Sequence, residues 1–239
     1  MNYDRLIREA SLGDKGALLE LQAQFKRINL FVESQDTAKV KEFFSKYKLI
    51  YDPDLESLSI EDYKITDISP ISSLTNLQQL SLSNSGITDL SPLSSLTKLR
   101  FVSLIENGIK DISPLSNLTN LQYLSLFYNK ITDISPFSNL TNLTQLYLPY
   151  NKIKDISPLS GLTNLQQLYI SKNSITDISP LSSLTNLIHL DLENNRIKDL
   201  SPLANLTNLS ILIISGNNHL TISQVAKLRK QLPKCKITH

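Results

Sequence analysis

The stretch Leu121-Gln122-Tyr123-Leu124-Ser125-Leu126-Phe127-Tyr128-Asn129-Lys130-Ile131-Thr132-Asp133-Ile134-Ser135-Pro136 decides the fold. Its last six residues recur along the chain, as Ile-x-Asp followed by Ile or Leu and then Ser-Pro, at a constant step of 22 residues. The aspartates are Asp67, Asp89, Asp111, Asp133, Asp155, Asp177 and Asp199, each followed three residues later by a proline, from Pro70 to Pro202. Seven of the ten prolines occupy that slot, so the repeat accounts for them rather than a proline-rich linker. A unit that recurs at a fixed period cannot bury its apolar face alone. It must stack on its neighbours, which makes a solenoid.

The physics of one unit follows from its residues. Alternation after Leu124 predicts a short strand with one buried face. Asn129 turns the chain. Ser135-Pro136 predicts a helical start, with Ser as N-cap and Pro at the first helical position. Apolar residues at seven slots per unit point inward. Each contributes about 1.5–3 kcal/mol when buried. Strands of successive units, about 4.8 Å apart, make a parallel sheet on one side.

The frame Leu121-x-x-Leu124-x-Leu126-x-x-Asn129-x-Ile131 resembles a leucine-rich repeat. The repeat length, with the half Asp111-Ile112-Ser113-Pro114-Leu115-Ser116-Asn117-Leu118-Thr119-Asn120, is similar to the internalin-type and SDS22-like bacterial repeats. The resemblance covers about two-thirds of the chain. It implies an α/β solenoid: a leucine-rich repeat horseshoe with a concave parallel β-sheet and short helical or 3-10 turns on the convex side. It also implies that Asn107, Asn129, Asn151, Asn173, Asn195 and Asn217 stack as a ladder whose amides satisfy backbone groups that the turn leaves unpaired.

Three segments follow. Residues 1–54 read as helical and are expected to cap the first repeat; a separate helical domain with its own partner is the disfavoured alternative, since so short a segment is marginal alone. Residues 55–218 form the solenoid, a divergent first strand (Leu55-x-x-Leu58-x-Ile60, with Tyr63 in the ladder slot) and seven repeats. Residues 219–239 form a C-terminal cap, in which Thr221 or Ser223 starts a helix through Gln231. There Leu232-x-x-Cys235-x-Ile237 repeats the strand frame, with Cys235 in a core leucine slot.

Composition excludes several classes. Net charge is +2, which argues against a uniformly basic nucleic-acid binder. One cysteine rules out an intramolecular disulfide framework. No run of eighteen apolar residues predicts a membrane helix. Met1-Asn2-Tyr3-Asp4-Arg5 lacks the apolar core of a signal peptide, so a cytoplasmic location is expected, with export as an effector without a cleaved signal left open. The total charge also hides an asymmetry. Residues 55–218 carry ten basic and thirteen acidic groups, and residues 219–239 carry five basic and none acidic.

The concave slots carry the functional reading. The first strands fill them with Ser57, Ser59, Gln79, Ser81 and Ser83. The middle strands carry Phe101, Ile105, Tyr123, Phe127, Tyr128, Tyr147, Tyr150 and Tyr169. All five tyrosines within the seven repeats fall on these slots. Tyrosine is favoured at recognition surfaces because it offers much area at low entropy cost and keeps a hydroxyl. A contiguous exposed aromatic patch binding a protein partner is therefore expected, and cross-strand stiffening of the sheet is the alternative. His189, Asp191 and Glu193 share the same face by period-2 spacing and are read as a solvated polar flank of that site rather than a metal site. The Asp column is read as bonding the loop backbone or facing water, not as a calcium ladder.

No nucleophile–base pair, phosphate loop, metal motif or cofactor motif is present, so no enzyme activity and no cofactor are expected. The chain is read as a non-catalytic protein-recognition module, acting as a monomer without membrane insertion. The internalin resemblance implies an adhesin or effector contacting a host receptor, and the SDS22 resemblance implies a phosphatase partner. A third alternative is an anionic-ligand or nucleic-acid binder using Lys227, Arg229, Lys230, Lys234 and Lys236. It is disfavoured because the aromatic strands carry few basic residues.

Overall fold

A computed structural model describes residues 55–61 and 65–239, together with residues 42, 45 and 46. The expected helical cap over residues 1–54 and Tyr63 in its ladder slot therefore lie outside the described residues, those three positions excepted.

Among the described residues one parallel sheet of nine strands runs in sequence order. The strands are β1 (Ser57–Glu61), β2 (Gln79–Ser83), β3 (Phe101–Ser103), β4 (Tyr123–Ser125), β5 (Gln145–Tyr147), β6 (Gln167–Tyr169), β7 (His189–Asp191), β8 (Ile211–Ile213) and β9 (Lys236–Thr238). Register advances by one repeat per strand, so Leu80 pairs with Val102 and Leu124 with Leu146. The last step is longer, Leu212 to Ile237, because a helix is inserted before β9. Seven short 3-10 turns among the described residues occupy the opposite side, from Ser69–Ser73 to Ser201–Leu203. Between the two layers the inward slots are sealed. In the fourth repeat Leu121, Leu124, Leu126, Ile131, Ile134, Phe137 and Leu140 are all buried, and the same columns join every repeat into one core.

The 3-10 turns correct one expectation. Ser135 is not an N-cap but the first residue of its turn, Ile134 precedes it, and no side chain of the N-cap residue bonds the turn. The capping oxygen comes from two residues upstream. Asp133 Oδ1 accepts the Ser135 N–H at 2.8 Å, and its Oδ2 accepts the Ser135 hydroxyl at 3.0 Å. Asp89, Asp155 and Asp177 repeat both bonds. A carboxylate reaches an orphan N–H across a tight turn where the serine, already inside it, cannot. Two carboxyls of the column are held below the usual range by such bonds, Asp111 chiefly through the Ser113 N–H and Asp199 chiefly through the Ser201 hydroxyl.

Two asparagine columns stitch the repeats. On the sheet side, Asn151 Nδ2 donates to Leu126 O at 2.9 Å, in the repeat before, and to Leu148 O at 3.1 Å in its own turn. Its Oδ1 accepts the Ile131 N–H at 3.0 Å. Asn129 bonds Leu104 O, Leu126 O and the Ile109 N–H in the same way, and Asn107, Asn173, Asn195 and Asn217 follow the pattern. On the convex side Asn120, Asn142, Asn164, Asn186 and Asn208 each donate to a threonine carbonyl of the preceding repeat at 2.8–2.9 Å.

The residue before each ladder asparagine is left-handed: φ is 52° to 57° at Glu106, Tyr128, Tyr150, Lys172 and Asn194, and 73° at Gly216; Asn84, before Ser85 in the same slot, is left-handed too at 50°. This turn aims the next side chain inward, where the amide finds its partners. A left-handed L-residue costs about 1–2 kcal/mol, which the ladder bonds offset. At Gly216 a Cβ would sit 2.2 Å from Asn194 Oδ1, so glycine fits the close approach.

The chain closes with α1 (Ile222–Gln231). Thr221 starts it through a capping box with Gln224. Val225, Leu228 and Leu232 bury against the last repeat, and β9 pairs beside β8, which buries Ile213 and half-covers Ile211. Arg229 donates to Ile237 O at 3.2 Å, so one of the basic cap residues holds β9. Cys235 is half-buried against the core rather than sealed within it. Burial raises its thiol above the ordinary value. Iodoacetamide at neutral pH is accordingly expected to alkylate Cys235 several-fold more slowly in the folded chain than in urea, as read by intact mass; equal rates would contradict the burial. No helix among the described residues is long and apolar enough to cross a membrane.

Candidate functional site

Strand alternation sorts the concave side chains into rows that cross the sheet. The first row holds Gln79, Phe101, Tyr123, Gln145, Gln167 and His189, and the second holds Ser81, Ser103, Ser125, Tyr147, Tyr169 and Asp191. Ile105, Phe127, Pro149, Ser171 and Glu193 form a third row just past the strand ends. The left-handed residues Glu106, Tyr128, Tyr150 and Lys172 form the outermost one.

The rings meet in two groups. Phe101 stacks on Tyr123 with centroids 3.9 Å apart and planes 9° from parallel. The row then steps diagonally to Tyr147 at 5.1 Å, which stacks on Tyr169 at 4.9 Å. In the second group Phe127 lies 5.9 Å from Tyr128 and 5.4 Å from Tyr150, and Tyr128 lies 5.1 Å from Tyr150. Lys172 Nζ sits 4.3 Å from the Tyr150 ring centroid and donates to its hydroxyl.

The expected contiguous exposed patch is corrected by burial. Tyr147 is 2% exposed, and Ile105, Phe127, Tyr123 and Tyr169 are buried as well. Phe101 and Tyr150 are half-buried, and of the named rings Tyr128 alone is fully exposed, at 51%. Strands are only about 4.8 Å apart, and outward side chains converge on a concave sheet, so neighbouring rings cover one another's faces. What remains open is edges, hydroxyls and the outer Tyr128–Tyr150 pair. The Tyr147 hydroxyl is also engaged, shared between Gln145 Oε1 at 3.2 Å and Gln167 Oε1 at 2.5 Å. Beside the rings Ser81 and Ser103 are buried, so the floor of the face is closed to water there.

His189, Asp191 and Glu193 do not form the solvated flank expected of them. Asp191 is buried, and its Oδ1 accepts the Glu193 N–H at 2.9 Å. Its role is to cap the turn. The Glu193 carboxylate accepts the Ser215 hydroxyl at 3.3 Å, and His189 is half-buried in the first row.

Two features escaped the sequence reading. A recess of about 380 Å³ opens at the N-terminal edge of β2–β5, where Gln78, Arg100, Gln122 and Thr144 surround the Phe101–Tyr123 stack. These residues precede their strands, so alternation within the strand does not reveal them. Lys130 and Lys152 are the second feature. Each lies two residues beyond an exposed or half-exposed tyrosine, with a buried ladder asparagine between, and both are exposed. The spacing Tyr-Asn-Lys was the available signal. The face as a whole offers rings, amides, hydroxyls and a few ammonium groups, all suited to non-covalent contact.

Comparison with known proteins agrees with this geometry. A family model described as leucine rich repeats in two copies matches residues 53–95, 75–117, 97–139, 119–161, 141–183 and 185–229. Internalin C2 of Listeria monocytogenes is 40% identical, with TM-score 0.70, over 77% of this chain and 80% of that chain. Internalin F of the same organism is also 40% identical, with TM-score 0.66, over 78% of this chain but 61% of its own, so this chain spans less than two-thirds of it. The plant peptide hormone receptor RGFR1, in complex with RGF2, is 26% identical, with TM-score 0.56, over 62% of this chain and 26% of that receptor. Among the curated proteins, none matches the chain.

Proposed function

Because the chain belongs to the leucine-rich repeat family, in its 22-residue internalin-like form, we propose that it is a non-catalytic recognition module that holds a protein partner on its concave face. The fold is typical of protein–protein interaction modules. RGFR1, which shares the architecture, is solved in complex with RGF2. The observation that carries the reading is the ring system across β3–β6. Solenoid geometry asks only for small or polar residues in those slots, and β1 and β2 fill them with serine and glutamine. Seven aromatic rings in two contact groups exceed what the fold needs. Recognition uses such rings because they desolvate much area with little loss of side-chain freedom.

The test uses the two rings that face water. Tyr128→Ala with Tyr150→Ala is expected to reduce capture of a specific protein from lysate of the source organism by at least about tenfold, the loss of roughly one hot-spot contact. The melting temperature should stay within a few degrees, because neither ring is fully buried. Capture by the double variant at the wild-type level would overturn the concave-face reading. Tyr147 is unsuited to this test, since truncating a buried ring also destabilises the fold.

A further inference from the structure

We propose that the outer rim of the concave face, around Tyr128 and Tyr150, takes an acidic peptide segment of the protein partner. The inference rests on the recognition reading above and names the chemistry of what is recognised. Its basis is the turn that ends each strand. In two successive repeats the chain presents a left-handed tyrosine, buries a ladder asparagine, and presents a lysine: Tyr128-Asn129-Lys130 and Tyr150-Asn151-Lys152. Each repeat therefore sends one ring and one ammonium off the same edge. The third repeat places Lys172 in the ring slot itself, its ammonium 4.3 Å from the Tyr150 centroid. Three cations and two rings thus occupy three neighbouring repeats, a run of about 10 Å at about 4.8 Å per strand.

The surroundings make this charge local. Residues 55–218 carry ten basic and thirteen acidic groups, so the solenoid as a whole repels an acidic ligand weakly. Along the left-handed row Glu106 precedes Tyr128 and Asn194 follows Lys172, with Glu193 one row inward in that last repeat. These two carboxylates bracket the basic run and do not sit within it. Asp133 and Asp155, on the loop below, are turned to Ser135 and Ser157, whose N–H groups they accept at 2.8 Å. Charge complementarity therefore favours a short segment with carboxylates over the lysines and an apolar or aromatic side chain against Tyr128. Screening at about 8 Å in physiological salt confines the attraction to those groups. Single-stranded nucleic acid fits less well. It also uses rings and cations, but its sites run to about 4–16 nucleotides per domain, and Glu106 and Glu193 would face its phosphates at both ends of this run.

The full chain can be tested with a phage-displayed library of random dodecapeptides, followed by anisotropy titrations of the selected peptides and of a fluorescent oligo-dT strand. Selected peptides are expected to be enriched in Asp and Glu. Their affinity should fall about tenfold or more between about 50 and 300 mM NaCl, and by a similar factor with Lys130→Glu/Lys152→Glu. Both lysines are exposed, so the melting curve serves as the folding control. Neutral or basic selected peptides, no selected peptides, indifference to charge reversal, or tighter binding of oligo-dT would each overturn the proposal. The two readings fail separately. Partner capture lost in the tyrosine variant but kept in the lysine variant rejects the acidic segment and keeps the concave face; capture kept in both rejects both.

Discussion

Asn151→Ala is expected to destabilise the chain by about 3–5 kcal/mol, far more than one lost hydrogen bond. The side chain is buried and serves two repeats at once. Removing it strands the Ile131 N–H away from water and takes one of two amide donors from Leu126 O, which keeps Asn129, and from Leu148 O, which keeps Asn173. The orphaned N–H costs about 1–3 kcal/mol, each of the two lost carbonyl bonds adds about 0.5–1.5 kcal/mol, and alanine supplies no replacement donor or acceptor. The control is Asn142→Ala on the convex side. That amide also bridges repeats, to Thr119 O at 2.8 Å, but it is exposed and water can take its place. Its loss is expected to stay below about 1 kcal/mol. Urea titration followed by circular dichroism separates the two. Equal effects at Asn151 and Asn142 would mean that burial is not what gives the ladder its weight. The position matters too. In a quasi-one-dimensional array each repeat contacts only its neighbours, so weakening a central interface should broaden the transition as the two halves begin to unfold separately.

The ladder is legible in the sequence through the leucine-rich repeat resemblance, which implies it for the asparagine at each fixed step. The column beside it is not. Tyr128, Tyr150, Lys172 and Glu106 hold a left-handed conformation with no glycine to announce it, and their variety reads as free surface choice. The convex column, Asn120 to Asn208, sits in a recurring Leu-Thr-Asn whose spacing alone does not reveal that each amide reaches a threonine carbonyl one repeat back. The residues predict Ser135 as the N-cap and leave Asp133 either bonding the loop backbone or facing water; both are good capping residues two positions apart, and only the start of the 3-10 turn decides that Asp133 bonds the backbone there. The site shows the same division. Alternation assigns Tyr147 and Tyr169 to the concave side of the sheet, but it is blind to neighbours one repeat away in the sequence and about 4.8 Å away in space. Those neighbours determine that the rings cover one another and that Tyr128 faces water. Asp191 likewise reads as a solvated acid until the Glu193 N–H that it caps is located.

Phe137→Ala tests the other half of the interface. Phe137 occupies the convex core slot that Leu115 and Leu159 fill in the adjacent repeats, and all three are fully buried. Truncation is expected to cost about 3–5 kcal/mol, whereas Phe137→Leu, which restores the residue of the neighbouring slots, should cost only about 1 kcal/mol. A loss under Phe137→Leu as large as under Phe137→Ala would mean that the layers have closed around the ring and cannot relax. The decisive measurement is the double variant with Asn151→Ala. Asn151 bonds Ile131 N–H, which lies in the same repeat as Phe137, so both substitutions loosen one repeat against its successor. Once the ladder bond is gone, that repeat is free to shift and partly close the cavity, and the combined loss should fall short of the sum by about 0.5–3 kcal/mol, the range of coupled sites. Full additivity would show that ladder and core act independently, and that the repeat is not the unit in which this fold gains or loses stability.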